Sequence, residues 1–429
     1  VPTNTRTADH ASRPPAGYMR IATPLVLGTL VAALFTYHVT QYYFLGDDCF
    51  ISFRYALNLT EGHGLVFNAG EHVEGYTNFL WVLLMAGAMA LGLSVEVISN
   101  VLGIAAGVGV LFLLARMGAR SANWADPFIW IAPLALAVNR TFCAWSTGGL
   151  ETQLFVLLVF FAFTCFIAER TGGTQFPWRS AVLFALAALT RPEGALFFGV
   201  AGVFFVFDWL LKRRRRFRSL AVWTGIFVVI VGSHVTWRYS YYGFLLPNTF
   251  YAKVSGLWIE QGGAYLWMFI GDHQLLWLIP LIPLALVLRR DFQSLLFGTI
   301  VTVYTAYLLC VGGDRFEFRF MTPILPYLFW LMQEAVRAFV YRRSDGGARG
   351  MFAKTAACAA GMLIVGAAYL PNTREYERRH NVAYIEEIEE YAERRADEGR
   401  FLRELVEEGY LTGTELVAVG GAGALPYYS

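Results

Sequence analysis

The sequence predicts an all-α protein that crosses a membrane many times. Three observations carry that class. Of the 429 residues, 56% are hydrophobic and only 15% charged, and the mean hydropathy is +0.48. Apolar runs of roughly 17–25 residues, the length a helix needs to span a bilayer core, recur along most of the chain. The basic residues gather in alternate connecting loops, as the cytoplasmic bias of Lys and Arg produces. A net charge of +2 gives no sign of a nucleic-acid partner.

In chain order the expected spans are 21–43, 96–115, 126–144, 149–168, 180–191, 195–211, 219–237, 274–288, 294–311, 320–340 and 352–370, about eleven in all. Residues 1–20 read as a cytoplasmic tail. The first run has no small-residue cleavage site after it and reads as a retained anchor. The stretch 78–93 is also apolar. Placed on the outer surface, within a first extracytoplasmic loop 44–95, it puts Arg6, Arg13 and Arg20 inside. The same side then takes Arg116, Arg120, Arg170, Arg179, the run at 212–218, Arg289, Arg290, Arg342, Arg343 and Arg349. Made to span, it would send every cluster after the first outside. The membrane domain is therefore 21–370. Residues 371–429 read as the start of a soluble extracytoplasmic domain, partly α/β and incomplete: a charged helical pattern at 375–409, then a strand-like 415–420. Cys49, Cys143, Cys165, Cys310 and Cys358 have neither CxxC nor metal spacing and read as small hydrophobes.

Asp47 and Asp48 stand side by side at the outer end of the first span. Adjacent carboxylates there repel each other, and the nearby low dielectric penalises both, so a use for them is expected. Beyond them Asp47, Ile51, Arg54 and Asn58 share one helical face, and Phe50, Phe53 and Leu57 another. That pattern predicts an amphipathic helix along the membrane with its polar face toward an outer cavity. Further polar residues fall in the outer loops. His63, Glu74 and Asn78 follow the helix, Glu151 lies in GGLET, and Arg191 and Glu193 lie in TRPEG. Tyr242, Asn248 and Lys253 lie in 238–273, and Asp314 and Arg319 in GGDRFEFRF.

Arg191 could pair with Glu193 or face a phosphate, and Glu151 could cap a helix. His63, His72 and His273 read as surface residues. GGAG at 420–423 lacks a full dinucleotide fingerprint. A carboxylate can take a proton from a hydroxyl, and nearby cations can stabilise a leaving phosphate. Beside a bilayer, the two together suggest glycosyl transfer from a polyprenyl-phosphate sugar to an external acceptor. A transporter or flippase of lipid-linked sugars would use a similar lining, with broken repeat helices or midplane charges. A scaffold subunit would not need Asp47.

Five stretches occur in a telling order over about residues 40–330: DDCFISFRYALNLTEGHGLVFNAGEHVEGYTN, WSTGGLETQLF, LTRPEGALF, YYGFLLPNTFYAK and GGDRFEFRFMTPILP. With these motifs the chain resembles the GT-C glycosyltransferases. Within them it resembles the terminal β-(1→2)-arabinofuranosyltransferases of the mycobacterial cell wall and their bacterial relatives. The resemblance implies a multi-pass protein of the bacterial inner membrane, N-terminus cytoplasmic, active site and C-terminus outside. It implies an inverting transfer of a sugar, arabinofuranose by the nearest likeness, from a polyprenyl-phosphate donor to an extracytoplasmic glycan. Asp47 would be the base, and Asp48 would orient it or the acceptor. Arg54, Arg191, Lys253 and Arg319 would contact the donor phosphate. His63, Glu74, Asn78, Glu151, Glu193, Tyr242, Asn248 and Asp314 would contact substrate. Some GT-C relatives use a divalent cation, Mg or Mn, at the acid pair, although no ligand set in this sequence compels one.

Overall fold

The computed structural model describes residues 16–174, 176–212, 217–253, 256–342, 348–374, 379–413 and 421–429. Apart from isolated bridges, all regular structure among them is helical. α1 (Ala16–Gln41) leads through a short link into α2 (Asp47–Thr60). α3 (Phe79–Ala90) has twelve residues. At 1.5 Å per residue it is about 18 Å long, too short for a hydrocarbon core of about 30 Å. Its Trp81, Val82 and Met85 instead join Phe50, Phe53 and Ala56 of α2 in one buried cluster. α4 (Val95–Ser121) begins where the Ser94 side chain accepts the Val97 N–H, with Glu96 favourably placed in its first turn.

The run 126–144 is not one helix. A 3-10 turn leads into α5 (Ile131–Ala137), and α6 (Arg140–Ala144) starts afresh. Asn139 makes the break: its side chain accepts the Phe142 N–H at 2.9 Å, which sets a new N-cap. α7 (Thr152–Thr171), α8 (Trp178–Thr190), α9 (Gly194–Lys212) and α10 (Phe217–Tyr242) follow, then the short α11 (Asn248–Lys253). α12 (Ile259–Asp272) and α13 (Leu281–Arg289) lie either side of a bend of 84°. α14 (Phe292–Val311), α15 (Leu325–Arg342) and α16 (Ala348–Tyr369) complete the apolar body. α17 (Ile385–Glu407) carries the charged pattern expected after 371, and α18 (Ala424–Tyr428) ends the chain. The strand-like 415–420 lies outside the described residues.

Among the described residues, seven helices are long and apolar enough to cross a membrane, or eight with the bent pair as one span. The chain is a multi-pass membrane protein. α7, α9, α14 and α15 pack through aromatic rings. Tyr327 meets Phe160, Phe163 and Phe297, and Phe297 meets Trp330. Apolar side chains also face outward, such as Val203, Phe207 and Leu211 on α9 and Val228 and Val229 on α10. Outward apolar faces suit helices solvated by lipid. α4 starts against α2, and its last residue, Ser121, receives Arg337. Its 27 residues therefore hold Arg337, with Glu334 and Arg289, about 40 Å from the acid pair.

The turn at Gly148 and Gly149 fixes the entry to α2. Gly148 N–H donates to Phe44 O at 2.9 Å, and Gly46 N–H donates to Gly148 O at 3.1 Å. Trp81 Nε1 donates to Gly149 O at 3.1 Å. Gly149 has φ +72°, and a Cβ there would sit 2.7 Å from Cys49 Sγ. Only glycine satisfies both demands. Gly149→Ala is expected to destabilise the protein by about 1–3 kcal/mol through strain and overlap. A lowered Tm of the detergent-solubilised protein checks it.

One expectation is corrected. α2 does not turn an open polar face to a cavity, because Asp47 and Asn58 are both buried. Asn58 Nδ2 donates to Val66 O at 2.8 Å and to Phe67 O at 2.9 Å, so this polar position folds the following loop back onto the helix.

Candidate active site

Both acids lie in the first turn of α2, where the unpaired N–H groups and the helix dipole favour negative charge. The two carboxylates part company there. Asp47 is 8% exposed, and its Oδ1 accepts the Ala424 N–H at 2.8 Å. Burial raises its carboxyl above the usual range, and the Asp48 charge adds to this. The Ala424 hydrogen bond and the charges of Arg315 and Arg395 work against the rise without cancelling it. Asp48 is half-buried and its Oδ1 accepts from Arg315 Nη2 at 2.8 Å. The Arg315 side chain remains 57% exposed, so guanidinium donors are left for another anion.

The loop that carries Arg315 is held from several sides. Glu317 receives Arg140 through two bonds of 2.6 and 3.0 Å and accepts the Ile385 N–H at 3.0 Å. Arg140 also reaches Glu386 at 2.8 Å. Ala383 N–H donates to Arg315 O at 2.8 Å, and Trp145 Nε1 donates to Glu317 O at 2.6 Å. The α6 end, the 312–318 loop and the start of α17 are thus one polar knot beside Asp48. Arg140, Arg315 and Glu317 are not among the site residues expected from the sequence. The signal for the first was present, since an arginine inside an apolar run must find a partner.

One turn beyond Asp48 on α2, Ser52 begins a second chain of contacts. Asn78 Nδ2 donates to Ser52 Oγ at 3.0 Å and to Glu151 Oε2 at 2.8 Å. Arg191 lies between Glu151 (3.0 Å) and Glu193 (2.9 Å), all three buried. Burial alone would raise the Glu193 carboxyl, but the adjacent Arg191 charge and hydrogen bond hold it below the usual value. Of the two roles open to Arg191 in the sequence, the structure shows the pairing with Glu193 and not an open phosphate site: Arg191 is enclosed by two carboxylates. Arg319 donates to Asp314 at 2.7 Å and lies over the Trp145, Phe316 and Phe320 rings. Phe320 also faces Arg191, so these groups adjoin.

Other expected residues lie elsewhere in the structure. Arg54 donates to Phe67 O and Pro426 O, a bracing role. Glu74 pairs with Arg238 at 2.9 Å, and burial still pushes its carboxyl up to about 7. The Glu74 carbonyl accepts the Asn248 N–H at 3.0 Å. Tyr242 donates to Leu65 O at 2.7 Å and meets the Tyr76 hydroxyl at 3.1 Å. These contacts tie α10 and the 248–253 helix to the first loop. His63 is exposed, 3.5 Å from Glu61. Lys253 ends α11, and its side chain lies outside the described residues.

One oxygen of each carboxylate of the acid pair already accepts an N–H, and among the described residues no group of three or more His, Cys, Asp and Glu side chains is placed to hold a metal ion.

No family model matches the chain. Over 331 residues, 71% of the chain, it is 30% identical to the terminal β-(1→2)-arabinofuranosyltransferase of Mycobacterium tuberculosis. Over 342 residues, 68% of the chain, it is 29% identical to the protein of the same name from Corynebacterium glutamicum. The chain spans about half the length of these curated relatives, 51% and 48%. Among solved structures it is similar to ArnT from Cupriavidus metallidurans bound to undecaprenyl phosphate, with a TM-score of 0.62 at 12% identity. That match covers 94% of this chain and 84% of ArnT. The apo state of the same protein matches with a TM-score of 0.61. The motifs, the helical architecture and these likenesses converge: the chain is a relative of the terminal β-(1→2)-arabinofuranosyltransferases and has the GT-C fold of ArnT.

Proposed function

We propose that this protein transfers a sugar, most specifically arabinofuranose, from a polyprenyl-phosphate donor to a hydroxyl of an extracytoplasmic glycan. The observation that carries the reading is the division of labour in the acid pair. Asp47 is a buried carboxylate of raised basicity, whereas Asp48 is engaged by the half-free Arg315. Asp47 takes the acceptor proton, the acceptor oxygen bonds to the anomeric carbon, and the lipid phosphate leaves with the former bonding pair. Arg315 and Arg319, with Lys253 as a further candidate, balance the charge that develops on that phosphate. Asp48 holds Arg315 in place, and Asp314 does the same for Arg319. Arg191 keeps the Glu151–Glu193 core together.

The names of the relatives support arabinofuranose and a β-(1→2) product, and the undecaprenyl phosphate bound to ArnT supports a polyprenyl-phosphate donor. The charge pattern supports a placement with the N-terminus and basic loops cytoplasmic and the acid pair and α17 outside, and the bacterial relatives support an inner membrane. A count of eleven spans requires the short segments near α5, α8 and α15 to cross as well. The bent α12–α13 pair is a feature that a transporter would share. At that bend, however, Asp272 is paired with Arg379 at 2.9 Å and accepts from the Tyr384 hydroxyl at 3.2 Å. The elbow is thereby a docking point for the residues before α17.

Arg315→Ala tests the phosphate assignment. Loss of one preorganised donor is expected to slow transfer about 10²-fold. It is also expected to weaken competition by free polyprenyl phosphate, with Tm unchanged. Unaltered kinetics would remove Arg315 from the site.

A further inference from the structure

Asp47 is covered by chain that lies 377 positions away in sequence. The segment 421–424 crosses its carboxylate, and two features set this crossing apart from ordinary packing. The Ala424 N–H is aimed at Oδ1, at 2.8 Å. A Cβ at Gly423 would overlap both the Asp47 backbone oxygen and its carboxyl carbon, so only a residue without a side chain permits the approach. The next glycine faces the other oxygen: a Cβ at Gly421 would stand 3.4 Å from Oδ2 and 2.5 Å from the Tyr391 hydroxyl. The segment is also anchored. Arg54 Nη1 donates to Pro426 O at 2.6 Å, and Phe50 packs on Tyr427 and Tyr428. On the α17 side, a Cβ at Gly399 would lie 2.5 Å from Leu425 O.

We propose that residues 421–424 are a positioning element of the acid-pair site: the Ala424 N–H fixes Oδ1 of Asp47, and the bare backbone at Gly421 keeps the space beside Oδ2 for the acceptor hydroxyl. This rests on Asp47 acting as the base. One carboxylate oxygen held by a fixed donor leaves the other with a defined direction, which is what a proton transfer to a positioned group requires. The glycines at 421 and 423 thus gain a purpose that dinucleotide binding did not supply. The charged and titratable groups around Asp47 are Asp48 and Cys49 on α2, Arg315 on the 312–318 loop, and Tyr391 and Arg395 on α17.

The test exchanges Ala424 for its α-hydroxy acid, lactic acid, so that an ester oxygen stands where the N–H was; proline is unsuitable, because its ring Cδ would be driven into Asp47 Oδ1, 2.8 Å from the Ala424 nitrogen. With polyprenyl-phosphate arabinofuranose and an arabinan oligosaccharide, the rate at the optimum is expected to fall about tenfold with the donor KM unchanged. The acid limb of the pH–rate profile is expected to move to higher pH, because the lost hydrogen bond favoured the ionised carboxylate. A limb and rate identical to those of the parent overturn the proposal, provided Asp47→Asn is inactive. An active Asp47→Asn would instead fault the base assignment itself. Should the ester variant fail to accumulate in the membrane, Gly421→Ala decides. It is made in a Tyr391→Phe background that clears the hydroxyl it meets. An acceptor KM raised several-fold over Tyr391→Phe alone supports the proposal, and an unchanged acceptor KM overturns it.

Discussion

Asp47→Asn is expected to lower sugar transfer by about 10²–10⁴-fold while the protein remains folded and in the membrane. The size follows from what a positioned general base contributes. Asparagine keeps the shape and can still accept the Ala424 N–H, so the loss isolates the proton-accepting function. The pH dependence carries the same information. The base works only when ionised, so activity falls as pH drops through its pKa. Burial raises that pKa, so the acid limb stands above the ordinary aspartate range. Glu74, pushed up to about 7, also titrates above the ordinary carboxylate range, and Glu74→Gln as the comparison background removes it. Equal transfer by Asp47→Asn and parent at equal expression would rule out the assignment.

Arg191→Ala is expected to cost about 3–5 kcal/mol of stability, because it leaves two buried carboxylates without their cation. The residues lie in two turns that flank three helices: Glu151 before α7, and Arg191 and Glu193 between α8 and α9. The loss therefore loosens the packing of the membrane helices and is read as a lowered Tm. Changing Glu151 and Glu193 to glutamine alongside Arg191→Ala recovers part of it, since the buried charge is then gone. A phosphate contact behaves differently. Its removal leaves Tm in place and raises the donor KM, and that outcome would return Arg191 to the donor site.

The long membrane helices were legible because their signal is local. Mean hydropathy over a span-sized window identifies α4, α7, α9, α14 and α16, and arginine sorting places the short α3 outside the count of spans. The break at Asn139 was not legible, because a single carboxamide capping Phe142 hardly changes the hydropathy of 126–144. The site was legible in part. Asp47 and Asp48 stand out through the cost of placing them, and Arg191 and Glu193 through their spacing of two. Arg315 and Arg140 find their partners far along the chain: Asp48 lies 267 positions from Arg315, and Glu317 and Glu386 lie 177 and 246 positions from Arg140. Glycines 421 and 423 look like a turn until Asp47 is found beneath them. Pairings over such distances are set by how helices pack, and no spacing rule in one sequence encodes them.

The most direct measurement is product analysis with the purified full chain, in detergent and in vesicles, offered a panel of polyprenyl-phosphate sugars and an arabinan oligosaccharide. The predicted result is an acceptor heavier by one pentose in mass spectra, together with an equal amount of free polyprenyl phosphate. An acceptor of unchanged mass with every donor, accompanied by donor crossing the vesicle bilayer intact, would contradict the account and point to a transporter.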